Sequence, residues 1–387
     1  MKMSYQNGHY SGTSASEYED DEPTDEYVEV YSPPTEAVII LLDVDSFEVQ
    51  VHGLDQGFSP EDLRTKPFVV VNEFGVLTAV NYPAKEFGIK RSKDFNGNYI
   101  KKNYRDVNIL EIPNHYEKPN SLIAKKASEL IYESLRTSVS NLTRGRNLPI
   151  VEKASKDEFY VDVTDEVYYR VHKCGEQVPD RSTVFAMMDD CHNETPSYKA
   201  TGKQFSFRAL KVLTDPNIVQ KRHETEALLI HGAAIAYQLL QGIMTNTDYV
   251  CSAGVSSNKL LAKIGCGLHK PNSVTILPQA SLPRVSKKIK IEDIPGLAGK
   301  DGEKIKKRFD IRMMFALAYT NRGELIKFCR GENGIKFNQL AIGYDTTKVA
   351  EKYLSKSLKC GISFSYKRGG WAIYWILNDI CGTDSWK

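Results

Sequence analysis

Two short segments of the chain place acidic residues at the predicted ends of β-strands. Asp43 and Asp45 follow a continuous apolar run at residues 37–42, and Asp157 and Glu158 lie in the segment ASKDEFYVDVT. Phosphoryl transfer by two metal ions requires carboxylates from different strands that converge on ions about 3.5–4 Å apart. Oxygen ligands of this kind select Mg²⁺ or Mn²⁺. The two segments are therefore candidates for a two-metal centre, although each pair alone is more typical of acids in turns or on the surface.

A third segment, residues 251–272, combines small residues with three lysines. A turn of small residues is predicted at 252–254, and small residues let a backbone approach a ligand closely. Lys259 and Lys263 lie four apart, so on a helix they share one face. Lys270 follows just before a proline that ends the helix. Lysines meet phosphate as point charges, so the pattern favours a phosphate-rich partner, while a solvated amphipathic helix fits the spacing equally well.

The length and composition of the chain limit its class. The 387 residues are enough for two or three domains. Hydrophobic residues make up 41% and charged residues 26%, which is typical of soluble proteins. We recognise neither a signal peptide nor an apolar run of the roughly 18 residues that a membrane helix needs, so no membrane partner is expected. Seven scattered cysteines without a CxxC pair are typical of reduced thiols in an intracellular protein.

The charge is distributed unevenly along the chain. Residues 1–36 hold nine acids and one lysine, and because the whole chain carries +2, the remainder carries +10. The acidic segment is poor in apolar residues and is predicted to be disordered. A basic body indicates an anionic polymer as partner.

The pattern of apolar residues predicts a mixed α+β or α/β body followed by a basic, helical module after about residue 280. We predict no structure for most of residues 165–222. Strands are predicted at 37–42, at 67–82 as two strands around a turn, and at 158–163; helices are predicted at 121–135, at 224–244 and after a turn at 294–300.

Four motifs occur in an order that resembles the Y-family of translesion DNA polymerases, closest to the eta type. They are DVDSF, NYPAKEFGIKR, ASKDEFYVDVT and CSAGVSSNKLLAKIGCGLHKPN, and the resemblance extends over about residues 38–361. It implies a right-hand architecture with a palm at 37–65 and 116–279, fingers at 66–115 and a thumb at 280–350, followed by a linker and atypical tail at 351–387.

The resemblance also implies roles for the acids. Asp43, Asp157 and Glu158 would be catalytic and bind two Mg²⁺ ions, with Mn²⁺ as an alternative and the carbonyl oxygen of Val44 as a further ligand. Because successive side chains of a strand point to opposite faces, Asp157 and Glu158 can reach one site only at a strand edge, bulge or turn. Asp45 would be structural, as would Asp162.

The remaining motifs imply how the substrates are held. The resemblance assigns the dNTP to Tyr82, Lys85, Arg91 and Lys270, and it leaves Lys259 and Lys263 as structural or peripheral residues. Primer–template DNA would be gripped by the thumb, where a turn before a lysine-rich helix can offer backbone N–H groups to phosphates. The residues of that grip are Gly296, Gly299, Lys300 and Lys304.

The sequence departs from the family in four respects. Glu48 occupies the sugar-gate position, where the family usually has an aromatic ring. His52 replaces a glutamate, and Lys85 replaces an arginine, which changes a bidentate phosphate contact into a point charge. The little finger domain, the zinc-binding segment and the clamp-binding segment are not recognised after residue 361, so the chain is interpreted as C-terminally truncated relative to the family.

The sequence thus predicts a nuclear, template-directed DNA polymerase that adds dNTPs to a primer 3′-OH opposite damaged template bases. The alternative is a catalytically impaired DNA-binding paralogue or a truncated isoform, for which Glu48 and the missing domain are the motivation. A nucleotide cyclase is a more distant third hypothesis, because it would share only the two-metal chemistry.

Overall fold

The computed structural model describes residues 37–92, 94–112, 114–115, 118–119, 121–145, 147–176 and 216–351. The predictions made for the acidic segment 1–36 and for the tail after 351 fall outside these residues, as does most of the unassigned segment 165–222.

The described part of the chain is a mixed α+β structure. Its strands are β1 (Ile39–Val44), β2 (Phe68–Val71), β3 (Leu77–Val80), β4 (Asn108–Glu111), β5 (Asn114–His115), β6 (Lys118–Pro119), β7 (Ile150–Lys153), β8 (Glu158–Asp162), β9 (Cys251–Ser256) and β10 (Val274–Ile276). Its helices are α1 (Phe47–Asp55), α2 (Pro60–Thr65), α3 (Tyr82–Glu86), α4 (Gly97–Asn103), α5 (Ser121–Leu142), α6 (Thr164–His172), α7 (Pro216–Thr247), α8 (Lys259–Leu268), α9 (Leu282–Val285), α10 (Lys300–Phe309), α11 (Met314–Ala318), α12 (Arg322–Phe328) and α13 (Glu332–Ala341).

A five-stranded sheet with the order β10-β9-β1-β8-β7 forms the centre. β1 lies between β8 and β9 and is antiparallel to both, while β10 is parallel to β9. The alternation of side chains along β1 divides the sheet into two faces. Ile40 and Leu42 join a core with α5 and α7, whereas Ile39 and Leu41 pack with Ala262 of α8.

The close approach of α8 to the sheet depends on a glycine of β9. A Cβ atom on Gly254 would lie 2.0 Å from the carbonyl oxygen of Ala262 and 2.3 Å from the backbone nitrogen of Cys266. No side chain fits in that space, so glycine is required for the packing of helix on strand. The predicted turn at 252–254 was therefore wrong, because these residues form a central strand and their small size accommodates a helix.

Further hydrophobic cores lie beside the sheet. In one of them, Val69 and Val71 of the small sheet β3-β2-β4 pack with Ile100 of α4. The helices after β10 surround a third core that includes Ile291, Ile305 and Leu325. The predicted strand pair at 67–82 is confirmed, and the helix predicted at 121–135 continues to Leu142.

The long helix α7 contains an apolar stretch of membrane length, contrary to the expectation from the sequence. Residues Ala227–Thr247 are long and apolar enough, by length and composition, to cross a membrane. Within this stretch Leu229, Ala233 and Leu239 are buried in the core against the sheet. A buried core helix commonly meets the same criterion, and the absence of a membrane partner stays a prediction.

Candidate active site at the end of the central sheet

Two of the acids predicted to be catalytic lie on one face of the sheet, and the third directly precedes one of the strands. Asp43 of β1 is the register partner of Glu158 on β8, so the two side chains point to the same face. Asp157 directly precedes β8, and its carbonyl oxygen accepts a hydrogen bond from the Val44 N–H at 2.9 Å. The Asp157 carboxylate accepts a hydrogen bond from Ser155 at 2.6 Å. Asp157 therefore lies at the start of β8. This is one of the positions from which Asp157 and Glu158 can reach the same site.

Two lysines form ion pairs with Asp43 and Glu158. The ammonium group of Lys270 donates to Asp43 Oδ1 and lies 3.9 Å from Asp45 Oδ1. Lys263 of α8 donates to both oxygens of Glu158, at 2.7 and 2.8 Å. Of the structural or peripheral role predicted for Lys263, this ion pair agrees with the structural one. Sequence spacing placed Lys259 and Lys263 on one face of a helix but did not show which strand that face meets.

Lys259 has a different role from Lys263. Its ammonium lies 2.8 Å from Glu152, whose side chain is 2% exposed, and 4.6 Å from the centroid of the Tyr160 ring. This pair joins α8 to β7, a strand of the central sheet. The structural role predicted for Lys259 therefore agrees with its contacts.

Asp45 holds the loop that carries Lys270. Its buried carboxylate accepts hydrogen bonds from the Ser252 hydroxyl, at 2.8 and 3.0 Å, and from the Asn272 N–H at 2.7 Å. Burial raises the pKa of Asp45 to about 6, although Lys270 and these hydrogen bonds oppose the shift. The sequence offered no signal for Ser252 or Asn272, because their contacts with Asp45 span more than 200 residues.

The electrostatics of the site favour cations. Burial raises the pKa of Asp43, and repulsion from Glu158 and Asp157 adds to the effect, while Lys270 opposes it. Burial by itself would lower the pKa of Lys270, but the surrounding acids, Asp43 foremost, raise it overall. Lys270 therefore counteracts the effect of burial on the pKa of Asp43.

Two of the predicted dNTP-binding residues lie near this cluster. Tyr82 and Lys85 share helix α3, and the ammonium of Lys85 is 4.2 Å from the centroid of the Tyr82 ring. Burial raises the pKa of Tyr82, and the charge of Asp45 adds to this shift. Burial lowers the pKa of Lys85, and repulsion from Lys270 lowers it further. Tyr82 and Lys85 are thus close enough to the acids and to Lys270 for these charges to shift their pKa values.

The other predicted binding residues lie on other elements. Arg91 is exposed in the segment between α3 and α4. Gly296 has a φ of +86°, and Gly299 precedes α10, which begins at Lys300. Lys304 is an exposed residue of α10 and lies 3.6 Å from Asp301. The predicted DNA grip therefore belongs to the helical part of the chain that follows β10.

Glu48, at the predicted sugar-gate position, is ion-paired. Its carboxylate contacts the ammonium of Lys156 and lies 3.3 Å from Nε2 of the buried His52. The hydrogen bond with His52 and the pairing with Lys156 lower the pKa of Glu48 to about 2, against the effect of burial. Lys156 precedes Asp157, so Glu48 links α1 to the segment that carries two of the acids predicted to be catalytic.

Replacement of Glu48 should reveal a pH-dependent contribution to stability. The pKa of Glu48 is lower in the folded chain than the ordinary value of 4.5, so its stabilisation is present above that value and is lost as the pH falls towards 2. We expect Glu48→Gln to lower the free energy of unfolding by roughly 1–2 kcal/mol at pH 7. Urea unfolding at pH 7 and pH 3 measures the difference, which should shrink at pH 3. An equal loss at both values would contradict this account.

The cluster fits divalent metal ions in the chemistry of its donors. Its carboxylates and the carbonyl of Val44 are hard oxygen ligands, and the ammonium groups of Lys263 and Lys270 already supply positive charge at two of the acids. In the arrangement described, no three Asp, Glu, His or Cys side chains among the described residues are grouped to hold a metal ion. Lys263 and Lys270 are paired with two of these acids instead.

Comparison with known proteins identifies relatives of this chain. Residues 42–267, more than half of the chain, match the impB/mucB/samB family. The chain is 28% identical to DNA polymerase eta of Drosophila melanogaster over 84% of its own length and 36% of that protein. It is 25% identical to DNA polymerase eta of Arabidopsis thaliana over 84% of its length and 46% of that protein. It is 26% identical to DNA polymerase iota of Mus musculus over 82% of its length and 38% of that protein.

The chain thus spans about a third to a half of the length of these relatives. The family match begins at the end of β1 and ends within α8, so it encloses the acids on both strands and Lys263. The chain therefore belongs to the impB/mucB/samB family, the Y-family that its four motifs resemble.

Proposed function

We propose that this chain is a template-directed DNA polymerase of the translesion type, which adds dNTPs to a primer 3′-OH opposite damaged template bases. The observation that carries the proposal is the register pairing of Asp43 with Glu158, with Asp157 directly beside them. Relatives named DNA polymerase eta and DNA polymerase iota support it. Carboxylates that converge from separate strands meet the requirement of phosphoryl transfer by two metal ions.

In the proposed reaction, the 3′-oxygen of the primer attacks the α-phosphorus of the dNTP and its proton passes to solvent water. Pyrophosphate departs as the bond between the α-phosphorus and the oxygen that bridges to the β-phosphate breaks. Two Mg²⁺ ions, when bound, would activate the primer hydroxyl and stabilise the charge on the leaving pyrophosphate. Asp43, Asp157 and Glu158 would hold the ions, with the carbonyl of Val44. Lys270 would transfer its hydrogen bond from Asp43 to the triphosphate.

Further contacts belong to the same proposal. Tyr82 and Lys85 would bind the triphosphate from helix α3, and Arg91 would lie near the incoming base. The turn at Gly296 and Gly299 would offer N–H groups to the phosphates of duplex DNA. Lys300 and Lys304 would add positive charge at the same backbone.

The three cores support an assignment to palm, fingers and thumb. The palm would comprise the central sheet with α5 and α7, the fingers the sheet β3-β2-β4, and the thumb the helices after residue 280.

We also propose a nuclear location and relaxed sugar selection at Glu48, where no aromatic ring blocks a ribose 2′-hydroxyl.

Primer extension tests the proposal directly. The purified chain is incubated with Mg²⁺, dNTPs and undamaged or damaged primer–template DNA, beside the double variant Asp157→Ala/Glu158→Ala. We expect extension by the wild type and a loss of roughly 10³-fold or more in the variant, because metal ions contribute several kcal/mol to the barrier.

The alternative is an impaired DNA-binding paralogue, and the ion pairs of Lys263 and Lys270 with the predicted metal ligands favour it. A wild-type chain that binds primer–template DNA but extends no primer, and whose complex dNTP does not tighten, would support that alternative. Robust extension would reject it.

A further inference from the structure

A lysine without a role in the proposed reaction contacts one of the predicted metal ligands. Lys263 donates two hydrogen bonds to Glu158, at 2.7 Å to Oε1 and 2.8 Å to Oε2. Both oxygens of the carboxylate are therefore engaged by one ammonium group. The side chain of Glu158 is 21% exposed and that of Lys263 is 36% exposed. The Lys263 side chain can therefore rotate into solvent.

The backbone of Lys263 cannot move away as easily as its side chain. Helix α8 packs directly on β9 at Gly254, where a Cβ atom would meet helix backbone at 2.0 Å. Lys259, one turn earlier, is paired with the buried Glu152. These two contacts hold α8 in place against the sheet, so rotation of a side chain, rather than movement of the helix, separates Lys263 from Glu158.

The pairing relieves a repulsion that the sheet creates. Asp43 and Glu158 are register partners, and like charges directly opposite each other on neighbouring strands are destabilising. The ammonium groups of Lys270 and Lys263 each neutralise one member of the pair. The acids are therefore stabilised before any metal ion binds.

We propose that Lys263 is a built-in counter-cation that competes with the divalent metal ion for Glu158. A carboxylate whose two oxygens bind an ammonium group cannot coordinate a metal ion without losing those hydrogen bonds, and the two cations repel each other. Metal binding therefore requires Lys263 to rotate into solvent, which weakens metal affinity in the absence of substrate. This inference rests on the proposed function, because it takes Glu158 as a metal ligand.

Titration of the full 387-residue chain with Mn²⁺, followed by electron paramagnetic resonance without DNA or nucleotide, tests the inference. We expect Lys263→Gln to bind Mn²⁺ about two- to fivefold more tightly than the wild type, the range that loss of a partly exposed ion pair allows. Lys263→Arg, which keeps the charge, should bind as the wild type does. Lys66→Gln removes a lysine from a surface pair with Asp62 and is the control for net charge.

Unchanged or weaker Mn²⁺ binding by Lys263→Gln would overturn the inference. Circular dichroism confirms that each variant is folded, and Lys263→Met, which keeps the aliphatic stem, replaces the glutamine variant if that variant unfolds. The double variant Asp157→Ala/Glu158→Ala separates the two proposals. If wild-type binding does not depend on these acids, the metal site of the proposed function fails, whereas dependence on them with no effect at Lys263 rejects this inference alone.

Discussion

Asp43→Asn is expected to lower kcat/KM for nucleotide addition by roughly 10³-fold, because a neutral amide cannot replace a carboxylate that binds a metal ion. Asp43 is the one proposed carboxylate ligand on β1, so no neighbouring acid of the same strand can substitute for it; Asp45 is already bound by Ser252 and Asn272. Steady-state kinetics of single-nucleotide addition measure the effect.

The stability of Asp43→Asn should change little. Burial disfavours the charged form of Asp43, as its raised pKa indicates, and removal of the charge relieves that cost while it weakens the contact with Lys270. We expect a change within about 1 kcal/mol. Asp62→Asn, at a surface pair with Lys66, is the matched control and should retain activity. Equal activity of the Asp43 and Asp62 variants would contradict the role of Asp43.

Gly254→Ala is expected to destabilise the fold by about 3 kcal/mol or more. The new methyl group would overlap the backbone of α8 at Ala262 and Cys266, and backbone cannot withdraw as a flexible side chain can. The displaced helix carries Lys263, so the geometry of the acids should be disturbed as well. Urea unfolding of the wild type and the variant gives the difference in free energy.

The same helix provides a control for Gly254. A Cβ atom on Gly267 would meet nothing within 4 Å, so Gly267→Ala should leave stability unchanged or raise it by up to about 1 kcal/mol through helix propensity. A comparable loss of stability in both variants would show that the contact between α8 and β9 is not the reason for glycine at position 254.

The elements that carry the acids could be predicted because they are local patterns. The apolar run before Asp43 and the alternation after Glu158 each indicate a strand without knowledge of its neighbours. The order β10-β9-β1-β8-β7 could not be predicted in this way, because it joins strands more than 100 residues apart. The pairing of Asp43 with Glu158 depends on that order.

The contacts of other residues at the site could not be predicted for the same reason. Small residues at 252–254 are compatible with a turn, and only the contact with α8 explains them as a strand. Helical spacing places Lys259 and Lys263 on one face, but the partners of these lysines lie on different strands, β7 and β8. Their roles differ because Glu152 is buried and Glu158 lies at the candidate site.

Single-nucleotide addition on four primer–templates that differ only in the templating base tests the central claim most directly. With Mg²⁺ present, the account predicts that the chain adds the complementary dNTP on each template and that Asp157→Ala/Glu158→Ala abolishes the addition. Addition that ignores the templating base, or that persists in the double variant, would contradict a template-directed polymerase site at these acids.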